Sequence, residues 1–185
     1  MKYDEPWQTK IGRVNIAHLI NMPMLQDEVF TLSMMTDNED SAQVTLTKEL
    51  FPAIIGVRNE IITPQVQKYA MEVWGYEIPE LDMETNAKWI KQGEGLYPHY
   101  HPGSCISAIF YPTDSKSGLN MFDPRVNACR GYPKEIRNNF MTTYQLSPEA
   151  GDLVIFPSYV QHSVSHVEEE VRLSLLTEYY LRKNL

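Results

Sequence analysis

From Ala87 to the C-terminus, apolar and polar residues alternate in short runs, the period-two pattern of strands with one buried face. Ala87, Trp89 and Lys91 alternate with Lys88 and Ile90. Further strands are expected at Ser104–Tyr111, Leu119–Phe122, Met141–Leu146, Leu153–Phe156, Val160–His166 and Val171–Leu181. Turn-forming stretches such as PTDSKSG, SPEAGD and EEE divide them. Short strands in antiparallel succession predict a jelly roll or distorted barrel, so the chain is mainly β with flanking helices. The polar insert between Asp123 and Asn139 is too irregular for a strand and reads as a loop over the barrel mouth.

The first 80 residues carry a weaker pattern. The stretch IGRVNIAHLI suggests a short strand, with His18 at the surface or packed. Residues Asp27 to Leu50 are polar and mixed, with DNEDS as a turn. Phe51 to Ile55 reads as a strand entry. Thr63 followed by Pro64 predicts a helix start, and Val66, Tyr69, Ala70, Val73 and Trp74 fall at the spacing of one helical face. Gly75 ends that helix, which is expected to pack outside the sheet, and IPELDMETN reads as a loop. Residues 1–185 are expected to form a single domain, with 1–80 as supporting strands and helix and 81–185 as the barrel.

A net charge of −8 argues against a nucleic-acid or membrane-surface binder, since either needs a basic patch. No apolar run reaches membrane-spanning length, and the charged stretch MKYDEPWQTKIGRV is not a signal peptide. Cys105 and Cys129 are too few for a disulfide framework, so a cytoplasmic setting with reduced thiols is expected. Cys105 reads as a small core residue.

The candidate chemistry lies in YPHYHPGSCISAIFY. His99 and His101 stand two apart, so on one strand both imidazoles face the same way and can lean onto one ion. Turned inward, they need a partner. His162, in GDLVIFPSYVQHSV, can return to the barrel interior at the start of another strand; His166, beside Glu168–Glu170, is left out. Arg172 alternates with apolar residues in VRLSLL and shares a face with Ser174. An inward arginine needs an anion, which a bidentate carboxylate supplies with help from the serine hydroxyl. Alternatively, Arg172 pairs at the surface with a glutamate of Glu168–Glu170.

Four motifs stand in order: His-x-His-Pro-Gly-Ser-x-Ile-Ser (His99 to Ser107), Gly-x-x-x-Phe-Asp-Pro-Arg (Gly118 to Arg125), Gly-Asp-Leu-x-x-Phe-Pro-Ser-x-x-x-His (Gly151 to His162) and Arg-x-Ser (Arg172 to Ser174). Together they resemble the 2-oxoglutarate–Fe(II) oxygenases of the double-stranded β-helix fold, over roughly the C-terminal half. The resemblance implies that His99 and His162 bind iron and that Arg172, helped by Ser174, grips the distal carboxylate of 2-oxoglutarate. The chain departs from the pattern twice. His101 stands where the facial triad has its carboxylate. Leu176-Thr177-Glu178 replaces the family's Ser-Phe-Asn.

The function expected is therefore an Fe(II)- and 2-oxoglutarate-dependent oxygenase that hydroxylates a substrate and releases succinate and CO₂. Its metal would sit on His99, His101 and His162, its co-substrate on Arg172 and Ser174. Arg125 is a candidate substrate contact or a structural ion pair, and Asp123 and Asp152 are weaker candidates for a ligating carboxylate. Two other readings stay open: a cupin-like three-histidine metalloenzyme without 2-oxoglutarate, and a non-catalytic barrel whose histidines hold a structural metal (with Cys105 as a fourth ligand) or none. A small molecule or a peptide fits equally as substrate. A homodimer is one option for assembly, since barrels of this fold often pair through N-terminal elements or edge strands.

Overall fold

The computed structural model describes residues 8–34, 42–78, 81–125, 130–140 and 143–181. Its strands are β1 (Gly12–Asn15), β2 (Ala42–Thr45), β3 (Leu81–Lys91), β4 (Leu96–His99), β5 (Ile106–Phe110), β6 (Leu119–Met121), β7 (Tyr144–Leu146), β8 (Asp152–Pro157), β9 (His162–Val164) and β10 (Val171–Leu181). They form a six-stranded sheet, β1-β8-β5-β10-β3-β2, and a four-stranded sheet, β4-β9-β6-β7, with every pairing antiparallel. Side chains from both sheets, among them Tyr111, Phe156, Met121 and Leu146, share one buried cluster between them. This is the expected double-stranded β-helix barrel.

Strand parity divides the six-stranded sheet into two faces with different tasks. On β10, Leu173, Leu175 and Tyr179 join Ile106, Phe110, Leu153, Ile155 and Trp89 in a cluster covered by helices. Arg172, Ser174 and Leu176 take the opposite face, toward the barrel interior. The register between β10 and β3 is unbroken from Val171↔Lys91 to Leu181↔Leu81, and β5 lies on the other side of β10. β10 is thus paired on both edges from Leu175 to Tyr179 and with β3 at Arg172 and Ser174.

The covering helices are α1 (Met22–Met34), α2 (Pro52–Val57) and α3 (Thr63–Trp74). Helix α3 forms as its periodicity predicts: Val66, Tyr69 and Ala70 are buried, and Gly75 ends it in the left-handed region at φ 66°. Phe51–Ile55, by contrast, opens a helix rather than a strand. Pro52 fits the first turn, Ile54 and Ile55 pack into the outer core, and Glu28 of α1 accepts the amides of Ala53 and Ile54 at 2.8 and 2.9 Å. Thr63 is not a cap. The chain is already helical through a π turn at Arg58–Ile62, and the Thr63 hydroxyl donates to the Arg58 carbonyl at 2.9 Å.

Helix α1 begins ahead of the stretch read as mixed and runs into it; its buried stripe, Leu25, Val29 and Leu32, is only one residue wide and gives little periodic signal. The loop expected over IPELDMETN is strand from Leu81 onward, where pairing with β10 outweighs the low strand propensity of Asp82, Glu84 and Asn86. Within the Asp123–Asn139 insert, a short helix α4 (Lys134–Phe140) forms with Glu135 in its first turn and Arg137 in its last. Cys129 and residues 37–41, the DNEDS turn, lie outside the described residues. Among those residues no helix is long and apolar enough to cross a membrane.

The Gly-Asp-Leu motif folds as a turn that ties β1 to β8. Gly151 has φ +86°, donates to the Tyr111 carbonyl and accepts from the Ile16 amide, both at 2.8 Å. Asp152 receives Arg13 at 2.5 Å, the Asn15 amide at 3.2 Å and the Glu149 backbone at 3.0 Å, so its carboxylate is committed to the turn. A β-carbon on Gly151 would lie 2.5 Å from that of Ala17. Gly151→Ala is therefore expected to destabilise the protein by about 2–4 kcal/mol, combining left-handed strain with overpacking. Thermal unfolding checks this, with a fall in Tm on the order of 10 °C.

Candidate metal centre and co-substrate cavity

His99 closes β4 directly opposite His162, the first residue of β9, and Met121 of β6 flanks His162 on its other side. His101 lies just past the end of β4, so it does not share a strand with His99 as expected. Its position comes from the backbone: the His101 amide donates to the Ser158 carbonyl at 3.1 Å. Ser158 is buried, and its hydroxyl bonds those of Ser104 and Ser107 at 2.7 and 2.8 Å. Three serines of the motifs thus anchor the turn that sets His101, a role the sequence did not reveal.

The three imidazoles converge. Ring centroids lie 4.4 Å apart for His99–His162, 5.0 Å for His101–His162 and 5.4 Å for His99–His101. One nitrogen from each falls within 4.8 Å of the other two, and the Nε2 atoms of His101 and His162 are 3.3 Å apart. Neighbouring nitrogens on one octahedral ion, each at about 2.1 Å, would stand on the order of 3 Å apart. The other ring nitrogens are all engaged. His99 Nδ1 faces the Tyr97 carbonyl at 2.8 Å, His162 Nδ1 the Val160 carbonyl at 3.0 Å, and His101 Nδ1 the Glu178 carboxylate at 3.3 Å. An Nδ1–H bond of this kind presents the Nε2 lone pair to the centre.

Burial disfavours protonation of His162 and His99. His162, 3% exposed and edge-on to Phe156, is pushed down to about 4, and His99 is lowered by the same cause. Both are therefore neutral at pH 7, the form that ligates. The hydrogen bond from His101 holds the Glu178 carboxyl below its usual range, so it is ionised. No glutamate or aspartate joins the imidazole cluster itself among the described residues.

The imidazoles open onto an interior cavity of about 230 Å³, lined also by Arg172, Ser174, Lys88 and apolar side chains from both sheets. Arg172 is 2% exposed and, among the described residues, has no carboxylate within ion-pairing distance, so the surface pair with Glu168–Glu170 does not form; Glu169, held by Ser115 and Ser117, acts on it only from further off. Its Nη2 donates to the Tyr111 hydroxyl at 3.0 Å, Nη1 reaches Ser174 at 3.5 Å, and the Tyr111 ring lies 5.1 Å below the guanidinium. Nε has no partner. A buried guanidinium with an unpartnered N–H and no carboxylate in contact among the described residues fits an anionic ligand. Lys88, opposite Ser174 in the register, adds a second cation whose charge is disfavoured by burial and by Arg172.

The remaining candidates separate from this cluster. Arg125 binds Asp123 through two contacts, 2.6 and 2.9 Å, and lines a different hollow of about 500 Å³ with Met121, Phe122, Tyr144 and Val160. His18 and His166 are exposed. Cys105 is half-buried with Sγ 3.1 Å from the Tyr179 carbonyl, its thiol pushed up by burial, and it stands outside the imidazole cluster. Lys88 and Glu178 were not picked out from the sequence. The signal was there: Lys88 shares its strand face with Ile90, and Glu178 shares the parity of Arg172.

The fold is that of a double-stranded β-helix, and its three imidazoles, at one cavity with Arg172 and Lys88, could hold a divalent ion. Residues 87–176 match the family model described as "Putative 2OG-Fe(II) oxygenase". That span holds His99, His101, His162, Arg172 and Ser174, and the match bears out the resemblance read from the motifs. The fold agrees. The chain is similar to HygX from Streptomyces hygroscopicus, whose structure has nickel and 2-oxoglutarate bound (13% identity, 95% of this chain and 84% of that one, TM-score 0.67). It is similar to a Pseudomonas putida prolyl-4-hydroxylase (17% identity, 93% and 92%, TM-score 0.63). It also resembles the Trichoplax adhaerens prolyl hydroxylase in complex with a hypoxia inducible factor peptide fragment (12% identity, 94% and 84%, TM-score 0.69). No curated protein matches the chain by sequence.

Proposed function

We propose that this protein is an Fe(II)- and 2-oxoglutarate-dependent hydroxylase, with the metal held by His99, His101 and His162. The observation that carries this reading is Arg172: a buried guanidinium with an unpartnered Nε, in the same cavity as three converged imidazoles. The residues fit both cofactors, three imidazole nitrogens for a divalent ion and a cationic floor for a dicarboxylate. When bound together, iron and 2-oxoglutarate supply oxidative decarboxylation to succinate and CO₂ coupled to oxygen insertion into a C–H bond.

The chain's own work is binding, orientation and exclusion of water. Arg172, positioned by Tyr111 and Ser174 in the cavity that the histidines also line, takes the distal carboxylate. Ile109, Leu119, Val164 and Leu176 line the path between and keep it dry. Lys88 neutralises the second negative charge of the dianion from the β3 side. Lys88→Met is accordingly expected to weaken 2-oxoglutarate binding about tenfold, read by calorimetry with Fe(II)-loaded protein, while a monocarboxylate 2-oxo acid loses less.

The substrate, a small molecule or a peptide, enters beside His162. The hollow bearing Arg125 and Tyr144 adjoins that histidine through Met121 and Val160, so Arg125 is its candidate polar contact. The reading is tested by incubating Fe(II)-loaded protein with 2-oxoglutarate and following succinate. Slow substrate-free succinate formation that stops in Arg172→Met supports it. No succinate from protein that binds Fe(II) would favour the cupin-like alternative.

A further inference from the structure

We propose that Glu178 is the carboxylate of this metal site, acting on the ion through the imidazole of His101 rather than by ligating it. The inference rests on the metal-site reading above. Three neutral imidazoles leave a divalent ion's charge uncompensated, and the nearby ionic side chains of the cavity, Arg172 and Lys88, add to it. The acidic group in contact with the cluster is Glu178, whose Oε1 lies 3.3 Å from His101 Nδ1, with both side chains only 13% exposed.

His101 is singled out by this contact. The Nδ1 atoms of His99 and His162 are met by backbone carbonyls, whereas that of His101 is met by a full negative charge. A carboxylate accepting from Nδ1–H fixes the tautomer, strengthens Nε2 as a donor and places its charge one ring away from the ion. The scaffold holds Glu178 for this. It is the last of the row Arg172, Ser174, Leu176, Glu178 on β10, paired with Ser107 on one side and Glu84 on the other. Two glutamates directly opposite across strands disfavour a sheet. Here Glu84 accepts from Asn86 at 2.9 Å and Glu178 turns to His101.

The arrangement also joins two features that look separate in the sequence. The chain has histidine where a facial triad has its carboxylate, and glutamate at the end of the altered Leu176-Thr177-Glu178 stretch. In the fold these two positions touch. The missing charge has moved outward by one residue.

The test is the anaerobic Fe(II) affinity of wild type, Glu178→Gln, His101→Asp and the double variant, measured by competition with a chromophoric chelator. Glutamine keeps the shape and an acceptor oxygen but removes the charge. Glu178→Gln is expected to weaken Fe(II) roughly ten- to a hundredfold, with the Tm of the metal-free protein unchanged. In the His101→Asp background, where a carboxylate ligates directly, the same substitution should change affinity less than about threefold. The Fe(III)/Fe(II) potential of Glu178→Gln gives an independent readout and should rise, because removing negative charge favours the lower oxidation state. Wild-type affinity and potential in Glu178→Gln would overturn the inference alone, as would an equal loss in both backgrounds. Wild type that binds no Fe(II) would overturn the metal-site reading and this inference with it.

Discussion

Arg172→Met is expected to make the ligand-free protein more stable while nearly abolishing 2-oxoglutarate binding. The two effects have one origin. The guanidinium is 2% exposed, bonded to one tyrosine hydroxyl and weakly to one serine, and among the described residues no carboxylate stands within ion-pairing distance of it, Glu169 acting on it only from further off. Methionine has similar reach without the charge, so the desolvation cost disappears; exchanges of buried ionic groups for apolar ones of similar volume stabilise by about 1–4 kcal/mol. Truncating one partner of a buried charge pair costs a complex about 2–5 kcal/mol, and each 1.4 kcal/mol is tenfold in affinity. A loss of 2-oxoglutarate affinity of about a hundredfold or more is therefore expected, with Fe(II) binding little changed. Calorimetry and thermal unfolding of the same preparation check both signs. Unchanged 2-oxoglutarate affinity would mean that the cavity does not hold the distal carboxylate.

The second large effect falls on the metal. His162 is the hub of the cluster: it lies opposite His99 in the register, has the lowest exposure of the three, and places its Nε2 3.3 Å from that of His101. His162→Ala is expected to lower Fe(II) affinity by more than about a hundredfold, beyond the ten- to hundredfold typical of outer partners. His166→Ala, four residues on and exposed, should leave affinity unchanged. Because His162 also packs against Phe156, the variant should lose stability as well. Circular dichroism of the metal-free protein separates a folded barrel without a site from an unfolded chain.

The site was legible in the sequence where it rides on regular strands. Arg172 and Ser174 share the inward face of β10 as their spacing requires, and His162 begins a buried strand. His101 joins the cluster for a reason that strand parity does not supply, since β4 ends at His99 and a serine network on the β8–β9 turn sets it. Pairing between residues 77 and 86 positions apart along the chain, as for Glu178 with His101 and Lys88 with Ser174, cannot be read from local pattern at all. In the N-terminal part the broad apolar face of α3 announced itself. The narrow stripe of α1 and the branched Ile54-Ile55 pair did not, because packing on the sheet decides their conformation. The edge strand β2 is only four residues long and half-exposed, which leaves little signal.

The central claim is that one cavity holds the metal at His99, His101 and His162 and the co-substrate at Arg172. Anaerobic titration of metal-stripped protein with Fe(II) and then 2-oxoglutarate, followed by visible absorption, tests it most directly. A weak charge-transfer band should appear only when both are present, vanish in His162→Ala and require far more 2-oxoglutarate in Arg172→Met. Fe(II) binding without the band, or a band indifferent to Arg172, would contradict the shared cavity.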